Sequence, residues 1–366
     1  MSASGSRPRA LHRLLRWLVS EGAVLEPIFF RPDGHGGYTV HVRNDVEEGE
    51  LIFDIPLRCM ITRELARASA IGRAVMSSGA SPSDNTALAA FVLEERRWPG
   101  SFWRRYLDTL PTSFPHHPFF FTDEELALLE GTFALELISR QKAALAAEYE
   151  HLVQHLRGFN AFGYDAFVWA RIIVQTRYFG VNVFGEKTEG LVPIAEMVNH
   201  SLTPDVHWTF DSDRGGWCLT AITSLSAGQE IHVSYGERGN SNLLSSYGFC
   251  LDRNPANETR LRFDPDGERA FAVVANEKNG EVCDMLEFIR EQPEPAAALR
   301  RACGRALAAF PTTIEEDEAL LRRDDLTLNA RNAIRVRRDE KRVLQYFLDF
   351  VERRFSAEPI SLAAHS

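Results

Sequence analysis

The feature that most limits how this chain can fold is a repeated change of hydrophobic rhythm along its length. Residues 36–60 read as short strands: Tyr38 to Val42 and Leu51 to Ile55 are β-rich and flank an acidic turn at Glu47 to Gly49. From about 62 to 160 the pattern is helical. Thr86 is placed to cap a helix ending at Arg97, Thr122 with Glu125 forms a capping box, and Phe133 to Leu156 reads as one long helix. The segment from Pro111 to Pro118, rich in His, Phe and Pro, is a loop. Then Tyr164 to Arg177 reads as a buried helix, with strand-like runs at His207–Phe210, Trp217–Ile222 and Glu230–Tyr235. After Asn257 come two more strand-like runs, Thr259–Phe263 and Phe271–Ala275, and then mostly helix. Thr313 with Glu316 makes a second capping box, and Thr327 to Arg354 is either one long amphipathic helix or a broken pair. At the start, Leu11, Leu14, Leu15 and Leu18 keep helical spacing with Gly22 as a stop. That reading outweighs a targeting peptide, which the arginine-rich, acid-free first twenty residues also suggest. The alternation implies an α+β core with a helical insertion and an appended α domain.

Composition and missing motifs exclude several functions. A net charge of −10 argues against non-specific nucleic-acid binding and against an anionic membrane surface as partner. No apolar stretch approaches the ~18 residues of a membrane span. The five cysteines, Cys59, Cys218, Cys250, Cys283 and Cys303, include no C-x-x-C pair. A structural zinc site or disulfide framework is therefore not expected, and reduced thiols in the cytosol or nucleus fit. There is no G-x-S-x-G, P-loop or H-E-x-x-H. The glycine cluster Gly34-His35-Gly36-Gly37 leads into a strand, not a helix, so no dinucleotide site is indicated.

Two runs remain. One extends from Leu191 through Pro193, Glu196 and Met197 to Asn199-His200. The other runs from Gly228 to Ser234-Tyr235-Gly236 and on through Asn240-Ser241-Asn242 to Tyr247-Gly248-Phe249. Taken singly, Asn199-His200 is a turn with a satisfied histidine, and Tyr235 and Tyr247 are core or rim tyrosines. Together the runs resemble the SET-domain methyltransferases, in the branch of Rubisco large-subunit methyltransferase and actin histidine methyltransferase. Gly37-Tyr38-Thr39 followed by Val46 to Glu50 resembles the first SET strand pair. Ser101-Phe102-Trp103, Tyr106-Leu107 and Leu110-Pro111 resemble the helical insertion. Phe310 to Thr313, Glu315-Glu316-Asp317 and Arg335-Val336-Arg337 resemble the C-terminal helical substrate-binding domain. The resemblance spans about residue 10 to 355. It implies a SET β-fold of short strands over 1–255, with its helical insertion at about 62–163. A mainly helical domain then occupies 256–366.

The resemblance further implies S-adenosyl-L-methionine (SAM) as co-substrate, no metal, a non-histone protein substrate, a monomer, and a cytoplasmic or nuclear location. Tyr235 is the expected catalytic residue, near the transferred methyl, and Tyr247 lines the acceptor pocket. Arg177 suits the SAM carboxylate. Gly37, Tyr38, Thr39, Glu196, Asn199 and His200 would hold the cofactor, with Phe249 stacked on adenine. Phe179 and Ala195 stand where the histidine-methylating relative carries an amide and a Trp. An apolar ring and a small residue favour lysine. The acceptor amine must be neutral, against a free pKa near ~10.4. Burial beside a sulfonium favours that form, so no dedicated base is required. Two positions depart from the pattern: Thr39 replaces the second Gly of G-x-G, and Glu196 replaces the usual Asp. They keep open a catalytically weak binding module, and a histidine methyltransferase is the other alternative.

Overall fold

The computed structural model describes residues 6–34, 37–79, 83–264 and 269–355. Two compact units are present: Met1–Ser113 with Ala144–Gly236, and Phe114–Ala143 with Glu237–Ser366. Residues 114–143 of the expected insertion thus group with the C-terminal part, and position 255 falls inside the second unit.

The first unit is built from small sheets. Ile28–Pro32 pairs antiparallel with Tyr38–Val42. Gly216–Ala221 is the centre of a three-stranded sheet, flanked by Leu51–Pro56 and Val206–Asp211. A second three-stranded sheet joins Ile61–Thr62, Glu186–Leu191 and Tyr178–Val183. Its hairpin turns through Phe184 and Gly185 with φ of 51° and 91°, the paired positive angles that match strand twist in a two-residue loop. Asn199–His200 pairs in parallel with His232–Val233. The expected strand Glu230–Tyr235 is shorter because the chain changes partner within it. Glu230 bridges to His41 and the Ile231 amide donates to the Val40 carbonyl before residues 232–233 turn to 199–200.

Helices complete this unit. Ser6–Ser20 buries Leu11, Leu14 and Leu18 and is followed by Gly22 at φ 98°. Asp84–Arg97 is capped by Ser83, whose hydroxyl accepts from the Thr86 amide. Thr86 is therefore not the cap expected from sequence; it lies in the first turn and donates to Glu148. Residues Thr86 to Leu93 are all buried, so this helix is interior on every face. The Phe53 and Phe179 rings both pack on Trp217, at 5.7 and 5.3 Å between centroids.

In the second unit, Glu258–Arg262 and Ala270–Val274 form a hairpin beside the helices Gly280–Arg290, Pro295–Ala308, Ile314–Leu321 and Leu328–Phe355. Both capping boxes form as expected. The last helix is unbroken and buries Val343, Leu344, Phe347, Phe350 and Val351 in a core with Met285, Leu299 and Cys303. One turn earlier it carries buried charges. Asp317 accepts from Arg337 at 2.6 Å and pairs with Lys341 at 2.7 Å, and Lys341 also donates to the Thr312 and Thr313 carbonyls. All three side chains are almost wholly enclosed. Such a set holds only while every charge has its partner; deleting one costs about 3–5 kcal/mol. Asp317→Ala should therefore lower stability by about that amount. Urea unfolding checks this, and a loss below about 1 kcal/mol would contradict it.

Candidate active site

A cavity of about 140 Å³ opens in the first unit. The glycine-led strand Tyr38–Val42 contributes Gly37 and Tyr38, the end of the helix Tyr164–Arg177 contributes Arg177, and the following loop contributes Glu196, Met197 and Asn199. Arg7, Ala10 and Leu11 of the first helix, with Asp33, Thr109 and Pro111, close it. Two arginines and two carboxylates thus face one small space, which complements a zwitterion. Gly37 keeps backbone close to the cavity: its amide donates to Asp33 Oδ1 at 2.8 Å, and a Cβ there would clash with the Asp33 carboxylate.

Burial governs the charges. It pushes the Glu196 carboxyl up to about 7, against the pull of Arg177, a backbone amide and the Tyr106 hydroxyl. Tyr106, fully buried, donates to Glu196 at 3.3 Å, and burial raises its own phenol well above the usual range. Burial likewise lowers Arg177, opposed first by Glu196 and then by the phenols of Tyr106 and Tyr235. Sequence gave no sign that Tyr106 serves Glu196; its only signal was a place in the insertion motif.

The loop that presents Glu196 and Asn199 is strained at its start. Ile194, wholly buried and β-branched, has φ 72° and ψ −43°. That conformation costs about 1–3 kcal/mol, and packing on all sides imposes it. From there the chain makes one short turn over Ala195–Met197 and enters the Asn199–His200 pair with His232–Val233. The two sequence runs meet here. The Tyr235 amide donates to His200 Nδ1 at 3.1 Å, and its hydroxyl donates to the Val198 carbonyl at 3.1 Å. The rings stack at 5.2 Å. His200, with Nδ1 accepting and burial lowering its pKa, is neutral. Asn199 donates its amide to Glu230 at 2.9 Å.

Other expected residues are placed as follows. Thr39 sits in the regular strand, with its hydroxyl 2.8 Å from His41 Nε2, and is not part of the cavity lining. The backbone there is extended, a conformation open to any residue. Phe179 is 7% exposed, edge-on to Trp208 and Trp217, and Ala195 is fully buried. Tyr247 and Phe249 belong to the second unit, 6.1 Å apart around Gly248, whose φ of 82° ends the helix Asn240–Tyr247. That helix is anchored by the motif Asn240-Ser241. Asn240 bridges Leu251 and Asp339, and Ser241 donates to Glu340. Glu340 also accepts from the Phe133 and Ala134 amides and the Thr259 hydroxyl. Among the described residues, no group of three His, Cys, Asp or Glu is placed to hold a metal ion.

Two family models match, the SET domain over residues 37–236 and the Rubisco LSMT substrate-binding domain over 261–344. The chain belongs to the SET-domain family. SET proteins of this kind are SAM-dependent methyltransferases. Among relatives, the chain is 28% identical to the chloroplastic [fructose-bisphosphate aldolase]-lysine N-methyltransferase of Arabidopsis thaliana, over 94% of this chain and 84% of that one. It is 24% identical to human actin-histidine N-methyltransferase, over 93% and 68%. The fold matches the crystal structure of the SET domain of LSMT bound to lysine and AdoHcy, with a TM-score of 0.80 at 22% identity, covering 96% of this chain and 92% of that one. Rubisco LSMT bound to AdoMet matches at 0.75 and 23%, covering 94% and 92%. No helix among the described residues is long and apolar enough to cross a membrane.

The raised Glu196 pKa carries a pH signature. The folded SET domain holds this proton where the unfolded chain, with a carboxyl near 4.5, has released it. Its contribution to stability is therefore complete below about 4.5 and is lost as pH rises through about 7. Glu196→Gln should gain stability over wild type at high pH and lose that advantage in acid. Urea midpoints on either side of neutrality measure this, and a difference independent of pH would contradict it.

Proposed function

We propose that this protein transfers a methyl group from SAM to the amine of a lysine in a non-histone protein. The observation that carries the proposal is the cavity that brings Arg177, Glu196 and Asn199 together, beside the Tyr235 knot. SAM ends in an amino acid, and a site with paired opposite charges suits that zwitterion. Arg177 is the partner for its carboxylate, with the planar fork such pairing needs. Glu196, held by Tyr106, is the acceptor for its ammonium. Gly37 and Tyr38 offer backbone along one wall. Glu196 fills the role of the shorter aspartate by sitting against Tyr106, so the departure from the family pattern does not by itself argue for a degenerate site.

Bound SAM supplies an electrophilic methyl on a sulfonium. The chain's own residues position and desolvate. Tyr235 has its hydroxyl and amide both fixed, so its ring edge is held at one place without rearrangement. His200, neutral, adds no charge that would oppose a nearby cation. Orientation of this kind contributes several kcal/mol to such a displacement, and the acceptor amine loses its proton through burial and not through a dedicated base. The roles of Tyr247 beside the acceptor, and of Phe249, His200 and Thr39 toward the cofactor, belong to the proposal as the resemblance implies them.

Lysine is favoured over histidine by Phe179 and Ala195. An aromatic wall offers an imidazole nitrogen no hydrogen bond, and the small Ala195 leaves length for a methylene stem. The histidine reading has support from the actin-histidine relatives. Tyr235→Phe keeps the ring and deletes the hydroxyl. Turnover should fall by about a hundredfold or more, as when one positioned polar group beside the reacting atoms is removed. SAM affinity by calorimetry should change by less than about threefold. Unchanged turnover would refute the role given to Tyr235.

A further inference from the structure

The helix Leu328–Phe355 carries Arg331, Arg335, Arg338 and Arg342 on one face. With Arg322 they line a cleft of about 370 Å³ within the second unit. The cleft is far from neutral in a chain whose net charge is −10. Its acidic lining groups are Asp252 and Glu318. Arg335 reaches Asp252 at 3.1 Å, and Arg342 reaches Glu318 at 2.6 Å. Arg338 donates to Asp339 on its own helix, and that carboxylate also accepts from Asn240. Five guanidinium groups therefore face three carboxylates.

The arginines are pre-positioned. Arg331 is held by the carbonyls of Leu321 and Arg323 at the end of the helix Ile314–Leu321. Arg335 is largely buried, and its Nε is enclosed with no hydrogen-bond partner among the described residues. Arg322 is exposed at the rim and makes no ion pair among the described residues. Each guanidinium has five donors in a rigid fork, more than these partners use. A purely structural network would pair its charges; this one leaves a surplus of cations around an open space.

We infer that this cleft is a binding site for a phosphate monoester. The surplus of two positive charges matches the roughly −1.5 to −2 charge of such a group at neutral pH. Three acceptor oxygens suit several arginine forks at once, whereas the carboxylates present, with Asp339 shared between Arg338 and Arg342, leave Arg322 and Arg331 without an ion pair among the described residues. The site does not depend on the methyl-transfer reading, and its test reads binding alone.

The test uses the full-length protein and a fluorescent decapeptide bearing one phosphoserine in an otherwise neutral sequence. Anisotropy should show saturable binding, competed by inorganic phosphate and weakened as salt rises from about 50 to about 200 mM. The Arg322→Gln/Arg342→Gln variant, both changes at exposed side chains, should weaken it by about tenfold or more. Arg322→Gln alone, which breaks no ion pair, should weaken it in the same direction. A phosphopeptide that binds more tightly than inorganic phosphate identifies a peptide-borne group as the occupant. Equal affinities identify the free anion or a small phosphorylated molecule. Lack of saturable binding by both probes would overturn the inference. So would affinity unchanged in both variants, or equal competition by the unphosphorylated peptide or a glutamate version.

Discussion

Tyr235 ties together two segments that lie 35 residues apart, its amide on His200 and its hydroxyl on the Val198 carbonyl. Asn199, which lines the cavity, sits between those two bonds. The parallel pairing of Asn199–His200 with His232–Val233 is only two residues long, too short to hold register unaided. The side-chain and backbone bonds of Tyr235 lock it, and the change of strand partner at Glu230 and Ile231 delivers the chain to it. At the other end, Ile194 accepts a backbone conformation that a β-branched residue adopts only under constraint. The strain at Ile194 and the knot at His200 bracket the five residues 195–199, and Glu196 and Asn199, which line the cavity, lie among them.

Electrostatics then shapes what the cavity can hold. Glu196 and Arg177 are both withdrawn from water, and burial displaces each toward its neutral form. Each moderates the other, and Tyr106 steadies the carboxylate. A ligand that brings its own positive and negative ends restores both charges at once. That complementarity to a zwitterion comes from the side chains themselves, and it is the physical content of the proposed SAM site. The second unit handles buried charge differently. The Asp317 set is closed and serves stability, whereas the arginine cleft on the same helix keeps unspent donors.

Much of this was legible in the sequence, for identifiable reasons. Capping boxes at Thr122 and Thr313 are local chemistry and formed as read. The helix from Leu328 followed from its amphipathic rhythm. Asn199, Arg177 and Tyr235 stand out in the sequence because short runs with fixed order carry a family resemblance, and two of them, Arg177 and Asn199, line one cavity. What escaped notice was non-local. The hairpin of Tyr178–Val183 and Glu186–Leu191 has a polar second strand, so no alternation announced it. Thr86 looked like a cap, but Ser83 takes that place, because a hydroxyl three residues ahead of an amide is the better-placed acceptor. Tyr106 stands 90 residues from Glu196, and only the fold brings the phenol to the carboxylate.

The central claim is that the cavity loads SAM and the methyl ends on a lysine. The most direct measurement incubates the protein with isotopically labelled SAM and a cell extract, then locates the label by mass spectrometry. The label should appear on the side-chain nitrogen of a lysine in a non-histone protein. Label on an imidazole nitrogen, or no transfer at all, would contradict it.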